Sequence, residues 1–328
     1  MKIGIIGTGL MSEIYADIIL QDNLGTIEAV AGNTEEKTLS FAKKYNIKGY
    51  PNSQYDLMFE SHNFDLVIIA TPEWVREDPV KSCVNNNVHI ILEKPFADSL
   101  QSATSLKDTL YGYKKGVKIC HVLRYSERFY AAKNYLLDKK IIHMDSSRNS
   151  NLERFKRIEG KTNPAFWLAP HDIDMMIWLK DQKIKEVFAM SNKSRETESL
   201  LTTMMRFDDD TTATFRNIWG AKPVSNISKS AYFNIWHKEG CLEIDDSDMN
   251  IRVFDSNSSF QIDTYEDFHM NGKRYGFFRN MMDSIINSFI NNSFDTKKEI
   301  DNAFDVTLVS EMISRSVKEK RIIKSEEI

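Results

Sequence analysis

The chain has 328 residues, 41% hydrophobic and 27% charged, a balance that suits folded protein and excludes a largely disordered one. Its length is about twice that of a common domain, so two domains are expected. A formal net charge of −4 leaves no general basic footprint for nucleic acid, and no apolar run reaches the roughly 18–20 residues that span a bilayer.

Lys2 opens a short apolar run to Ile6 that Gly4 interrupts, with Gly7 next and Glu13 and Asp17 close behind, so residues 2–6 read as a first strand and not as a secretory leader. Glycines lead from it into a helix beginning near Leu10. Residues 27–31 read as a second strand, and the charged stretch 35–45 as a helix. Leu66-Val67-Ile68-Ile69-Ala70 is apolar throughout, as a parallel strand buried on both faces should be, and Thr71-Pro72 ends it. A helix at 78–86 precedes another buried strand at 88–92, which runs into Glu93-Lys94-Pro95. A helix at 99–111 and a strand at 117–122 follow. This β-α-β alternation predicts an α/β Rossmann domain over residues 1–122.

Beyond residue 123 the pattern changes to β-rich stretches at 141–149, 185–190, 200–207, 211–219, 230–236 and 250–254. Asp208-Asp209-Asp210 reads as an acidic tight turn between two of them. Helices at 275–291 and 299–318 close the chain. Residues 123–328 are therefore expected to form an α+β domain with an open, mainly antiparallel sheet, its last helix packing back on the N-terminal domain. Cys83, Cys120 and Cys241 lie far apart without metal-ligand spacing, which predicts no metal site and the reduced thiols of a cytoplasmic protein.

Gly7-Thr8-Gly9-Leu10-Met11-Ser12 lies between a predicted strand and a predicted helix. The first glycine permits a tight turn, and the second lets the backbone approach a pyrophosphate at the helix N-terminus. The third motif position holds Ser12, small enough for close helix packing. A plain strand-to-helix turn is the alternative for a lone G-x-G; its place in a β-α-β unit favours a dinucleotide. The second strand ends in Ala31-Gly32-Asn33-Thr34, with no carboxylate before Glu35. An acid there would bond ribose hydroxyls and repel a 2′-phosphate, so its absence shifts the expectation slightly toward NADP. Candidate cofactor-binding residues are Gly7, Thr8, Gly9, Leu10, Met11, Gly32, Asn33, Thr34, Ala70, Thr71, Pro72, Glu93 and Lys94.

With the glycine motif, Glu93-Lys94-Pro95 and His171-Asp172-Ile173-Asp174, the chain resembles the glucose-fructose oxidoreductase / inositol dehydrogenase / MocA (Gfo/Idh/MocA) family over nearly its whole length. The resemblance implies an NAD(P)-dependent dehydrogenase or reductase acting on a carbinol carbon of a sugar, cyclitol or sugar derivative. It also implies a homodimer or homotetramer formed through the C-terminal sheet. Lys94, at the carboxyl end of a parallel strand, and His171, at the start of a helix, are the candidate catalytic acid–base residues. Glu93 is either a crevice residue or a structural acceptor, and family members commonly hold the proline of this motif in a cis bond. Lys94, Tyr125, Arg148, Trp167, His171 and Asp172 are the candidate substrate-binding residues, with Arg124 and Asn149 nearby. Trp167 stands where many members carry an aspartate, and either stacks on a sugar ring or packs in the core. Arg76 stands where the family often has histidine. A non-catalytic, dinucleotide-sensing member is the alternative, favoured by the missing aspartate and opposed by the presence of both Lys94 and His171.

Overall fold

The computed structural model describes residues 1–151, 162–193, 198–221, 229–246, 251–254, 259–262 and 265–328. β1 (Lys2–Ile6) leads into α1 (Leu10–Gln21), β2 (Thr26–Ala31) into α2 (Glu35–Tyr45), and β3 (Lys48–Tyr50) into α3 (Tyr55–Ser61). β4 (Leu66–Ile69) passes through a 3-10 turn (Glu73–Val75) into α4 (Glu77–Asn85). β5 (His89–Leu92), α5 (Leu100–Leu110) and β6 (Val117–Ile119) follow. The six strands are all parallel, in the order β3-β2-β1-β4-β5-β6. Every residue of β4 and β5 is buried, which is why these segments lack a polar face. Strand order reverses between β1 and β4, and the carboxyl ends of the strands at such a switch point are where doubly wound sheets bind ligands.

The chain continues with α6 (Glu127–Tyr135), β7 (Ile141–Asn151), a short α7 (Pro164–Trp167) and α8 (Ala169–Lys180). After it come β8 (Ile184–Lys193), β9 (Glu198–Phe207), β10 (Thr212–Ala221), β11 (Lys229–His237) and β12 (Gly240–Asp245). Two hairpins, β13 (Ile251–Phe254) with β14 (Ser259–Ile262) and β15 (Phe268–Met270) with β16 (Lys273–Tyr275), precede α9 (Phe277–Ile290), α10 (Thr296–Glu319) and β17 (Ile323–Lys324). The second sheet runs β12-β11-β7-β10-β9-β8-β17 and is antiparallel except where β7 lies parallel to β10. The acidic run forms the expected turn: Phe207 N–H donates to Thr211 O at 2.8 Å, and Asp210 adopts a φ of 67°.

Alternation sorts this sheet into two unlike faces. Met144, Ser146, Arg148, Thr203, Met205, Ala213, Phe215, Asn217, Phe233 and Ile235 are buried on one. Met190, Met204, Tyr232 and Trp236 are exposed on the other. Both expected sheets are present, a parallel Rossmann sheet and a mainly antiparallel one. Position 250 of the strand predicted at 250–254 lies outside the described residues. The chain forms two compact units, Met1–Val122 with Glu266–Phe304 and Leu123–Tyr265 with Asp305–Ile328, divided within α10.

Candidate active site

Gly7 turns the chain out of β1 with a φ of 116°, donating its N–H to Ala31 O at 2.8 Å. A Cβ there would stand 2.7 Å from Ala70 O, so both conformation and space require glycine. Gly9 differs: its φ of −87° suits any residue, and a Cβ would meet no heavy atom within 4 Å. Among the described residues nothing calls for glycine at that position, whereas close approach of a pyrophosphate does. Gly9 is also the N-cap of α1 and provides no side-chain cap, leaving first-turn amides for a phosphate. These residues fit a dinucleotide. Ser12 is fully buried, Thr8 and Met11 are half-buried, and Leu10 is exposed.

At the end of β2, Gly32 is hemmed in: a Cβ would lie 2.3 Å from Thr38 Oγ1 and 2.8 Å from Thr8 Cγ2. Asn33 and Thr34 beside it are exposed. Ala70 and Thr71 are half-buried and Pro72 is exposed where β4 ends, with Ala70 N–H bonded to Ile6 O at 2.8 Å.

Lys94 follows β5 and is half-buried, and the Lys94–Pro95 bond is cis. Glu93 before it is only 7% exposed. It accepts hydrogen bonds from the Tyr15 hydroxyl of α1 and, at 3.0 Å, from the Lys94 amide. Burial pushes the Glu93 carboxyl above the usual range, opposed by the Tyr15 bond and by the charges of Lys94 and Arg76. These bonds give Glu93 the part of a structural acceptor. Arg76, buried at 2% exposure, donates through Nη2 to Thr71 O at 3.2 Å and to Lys94 O at 3.1 Å. Sequence reading gave Arg76 a place and no partner; the carbonyls it bonds leave no trace in local pattern.

In the second unit, His171 sits half-buried in the first turn of α8, its N–H donating to Leu168 O at 3.3 Å. Asp172 and Asp174, its neighbours, are drawn to arginines. Asp172 accepts from Ser146 Oγ at 3.1 Å, Arg148 Nε at 3.2 Å and Asn217 Nδ2 at 2.9 Å. Asp174 is held by both Arg124 Nε at 3.0 Å and Arg124 Nη2 at 2.5 Å. Arg148 and Asp172, expected to line a substrate crevice, are 4% and 1% exposed and bond each other. Strand alternation turns Arg148 to the covered face of its sheet, and Asp172 meets it there. Tyr125 and Trp167 are half-buried, Trp167 at the end of α7. Among the described residues, no group of three or more His, Cys, Asp or Glu side chains is placed to hold a metal, and no helix is long and apolar enough to cross a membrane.

Two sequence families describe most of the chain. An oxidoreductase family with an NAD-binding Rossmann fold matches residues 1–121, and the GFO/IDH/MocA C-terminal domain matches residues 140–243. Over 189 residues the chain is 24% identical to the uncharacterized oxidoreductase YdgJ of Escherichia coli, covering 55% of this chain and 53% of that protein. Inositol 2-dehydrogenase of Rubrobacter xylanophilus is 24% identical over 194 residues, 57% of this chain and 54% of the relative. The chain thus spans about half the length of the curated relatives it matches. Among solved structures, scyllo-inositol dehydrogenase of Lactobacillus casei, with NAD(H) and scyllo-inositol bound, superposes with a TM-score of 0.84 at 16% identity, covering 99% of both chains.

Proposed function

Because this chain belongs to the Gfo/Idh/MocA family of oxidoreductases, we propose that it is an NAD(P)-dependent dehydrogenase or reductase of a sugar, cyclitol or sugar derivative. The observation that carries this reading is Lys94. It stands at the same carboxyl end of the parallel sheet as the glycine turn, with its peptide N–H and C=O both held by buried charged side chains. A bound nicotinamide would supply or accept the hydride. Oxidation of a carbinol also frees its hydroxyl proton, and reduction returns one, so the chain must provide acid–base groups. Lys94 and His171 are assigned that work, and the Lys94 ammonium also donates to the developing alkoxide.

In this reading Gly7, Thr8, Gly9, Leu10 and Met11 take the pyrophosphate, and Gly32, Asn33 and Thr34 take the adenosine ribose. Ala70, Thr71 and Pro72 line the site, and Glu93 contributes by holding Lys94. Tyr125 and Trp167 contact substrate, while Arg148 and Asp172 support the helix that carries His171. Residues 1–122 provide the cofactor domain and residues 123–328 the substrate and oligomerisation domain. The cofactor leans to NADP, the chain works in the cytoplasm, and copies associate as a dimer or tetramer through the second sheet. Trp167, in place of the family's aspartate, favours one further reading, a dinucleotide sensor without turnover.

A screen of sugars, cyclitols and nucleotide sugars, followed by nicotinamide absorbance, separates the two readings. The enzyme reading expects turnover, with Lys94→Ala and His171→Ala each lowering kcat by about 10²–10⁴-fold while dinucleotide affinity is kept. Full kcat in His171→Ala would make the histidine structural. Tight dinucleotide binding without turnover of any compound in the screen would favour the sensor.

A further inference from the structure

The regular ladder of β5 ends at Leu92, which pairs with Ile69 on one side and Ile119 on the other. Glu93 N–H still finds Ile69 O, at 2.9 Å. One residue later, side chains replace the ladder: the Lys94 amide is bonded to the Glu93 carboxylate and the Lys94 carbonyl to Arg76. Each of these side chains is tied elsewhere, Glu93 to the Tyr15 hydroxyl of α1 and Arg76 to the Thr71 carbonyl in the loop leaving β4. The Arg76 bonds both run through Nη2, and Nε and Nη1 have no hydrogen-bond partner among the described residues. A charge of this kind is costly to bury, and its hydrogen bonds are spent on the loops that leave β4 and β5, adjacent strands of the sheet.

We propose that Arg76 is the positioning residue of Lys94, its guanidinium joining the Lys94 carbonyl to the Thr71 carbonyl so that the amine leaves the sheet at one fixed place. The proposal rests on the reading of Lys94 as an acid–base residue. A lysine at residue 76 keeps the charge, but its shorter stem does not bring the nitrogen to the place Nη2 holds between the two carbonyls, and a methionine removes the donor altogether. The guanidinium also stands among carboxylates, with the charges of Glu93, Glu73 and Asp98 acting on it. The positive charges of Lys94 and Arg76 both act on Glu93 in turn. Loss of Arg76 frees the carbonyl end of Lys94 and leaves the lysine as the cation serving Glu93. Both effects displace the amine from the position that proton transfer needs.

The test compares Arg76→Met and Arg76→Lys with the wild type by hydrogen exchange and by kinetics. The amides of Lys94 and residues 96–98 should exchange about tenfold faster or more in both variants, while those of β1 stay unchanged, as expected for local opening. With a substrate in hand, kcat should fall by about 10–100-fold, the range that follows misplacement of a reacting group by an ångström. The substrate KM and the NADPH Kd should stay close to wild type. A merely structural arginine would instead lower Tm and quicken exchange throughout the unit, leaving kcat per folded molecule untouched. Wild-type exchange at Lys94 and residues 96–98 in folded Arg76→Met overturns the proposal; should that variant not fold, Arg76→Lys is read in the same way. If no compound is turned over, the reading of the enzyme fails, and the exchange comparison still decides whether Arg76 holds Lys94.

Discussion

Gly32 and Gly9 border the proposed dinucleotide site for opposite reasons, and the difference decides which substitutions inform. An acid placed at Gly32 to read the ribose would drive its Cβ to 2.3 Å from Thr38 Oγ1, and that hydroxyl already donates to Thr34 O at 2.6 Å. Asn33 is exposed and accepts the change without a packing cost. A carboxylate close to a 2′-phosphate costs ~1–4 kcal/mol, so Asn33→Asp should weaken NADPH relative to NADH by about fivefold or more. Titrations of both cofactors against both proteins measure the ratio, and an unchanged ratio would place ribose recognition elsewhere. At Gly9 the chain itself leaves room for a side chain, so Gly9→Val should keep its Tm and lose binding of NADH and NADPH alike. Retained affinity for both would remove the glycine turn from the site. Gly7 was legible in the sequence because a tight turn demands glycine, and Lys94 stood out through the family motif Glu93-Lys94-Pro95. The partners of Glu93 and Arg76 were not, since they lie far off in sequence: Tyr15 lies 78 positions from Glu93, and Lys94 lies 18 from Arg76.

Among the elements, α8 departs most from its sequence pattern, and the departure has an electrostatic cause. Ile173, Met176 and Ile177 predict a helix with one apolar face, yet Asp172, Ile173, Asp174, Met175, Met176 and Ile177 are all buried. The two aspartates tolerate this because Arg148 and Arg124 neutralise them, with Ser146 and Asn217 completing the bonds to Asp172. Asp172 comes from the helix, Arg148 and Ser146 from β7, and Asn217 from β10, so this pair pins the first turn of α8, and His171 with it, to the sheet. Removing one member of a buried pair commonly costs ~3–5 kcal/mol, because the remaining charge keeps its desolvation penalty. Asp172→Ala should lose stability of that order in denaturant unfolding, and Arg148→Met/Asp172→Leu should not restore it, because Arg148 Nη1 also stands 3.7 Å from the buried Asp246 carboxylate, which would lose this cation. A loss below about 1 kcal/mol would mean that water reaches Arg148 and that the pair does not hold the helix. Uniformly apolar strands such as β4 and β5 were plain from sequence. β3 and α3, with three and seven residues, were missed, because neither is long enough to display a period.

At the scale of the whole molecule, register matters more than composition, because only pairing between strands reveals which side chains share a surface. Met204 lies opposite Phe188 on one side and Thr214 on the other, Thr214 opposite Asp145, and Asp145 opposite Asn234. The next rows bring Met190, Thr202, Arg216, Ser147 and Tyr232 together, and Glu186, Arg206, Thr212, His143 and Trp236. Polar groups on this face are largely served by each other. Trp236 Nε1 and Asn234 Nδ2 both bond Asp145 at 3.0 Å, His143 bonds Thr212 at 2.8 Å, and Arg206 pairs with Glu186 at 2.7 Å. Met190, Met204, Tyr232 and Trp236 remain 45–59% exposed between them. A surface of exposed aromatics and methionines, with polar groups already paired, loses little on desolvation and gains by covering its apolar atoms. A second copy offering the same face can bury it by a two-fold, self-complementary contact. Sedimentation velocity should therefore show a dimer or tetramer, and Met204→Lys combined with Tyr232→Lys should shift it toward monomer with the circular dichroism of the fold unchanged. The lysines place like charges against each other across the two-fold contact, while in a lone copy they point into water, so monomer stability should hardly change. A wild-type chain that stays monomeric at the highest attainable concentration, or a double variant that assembles as before, would mean that this face does not join the copies.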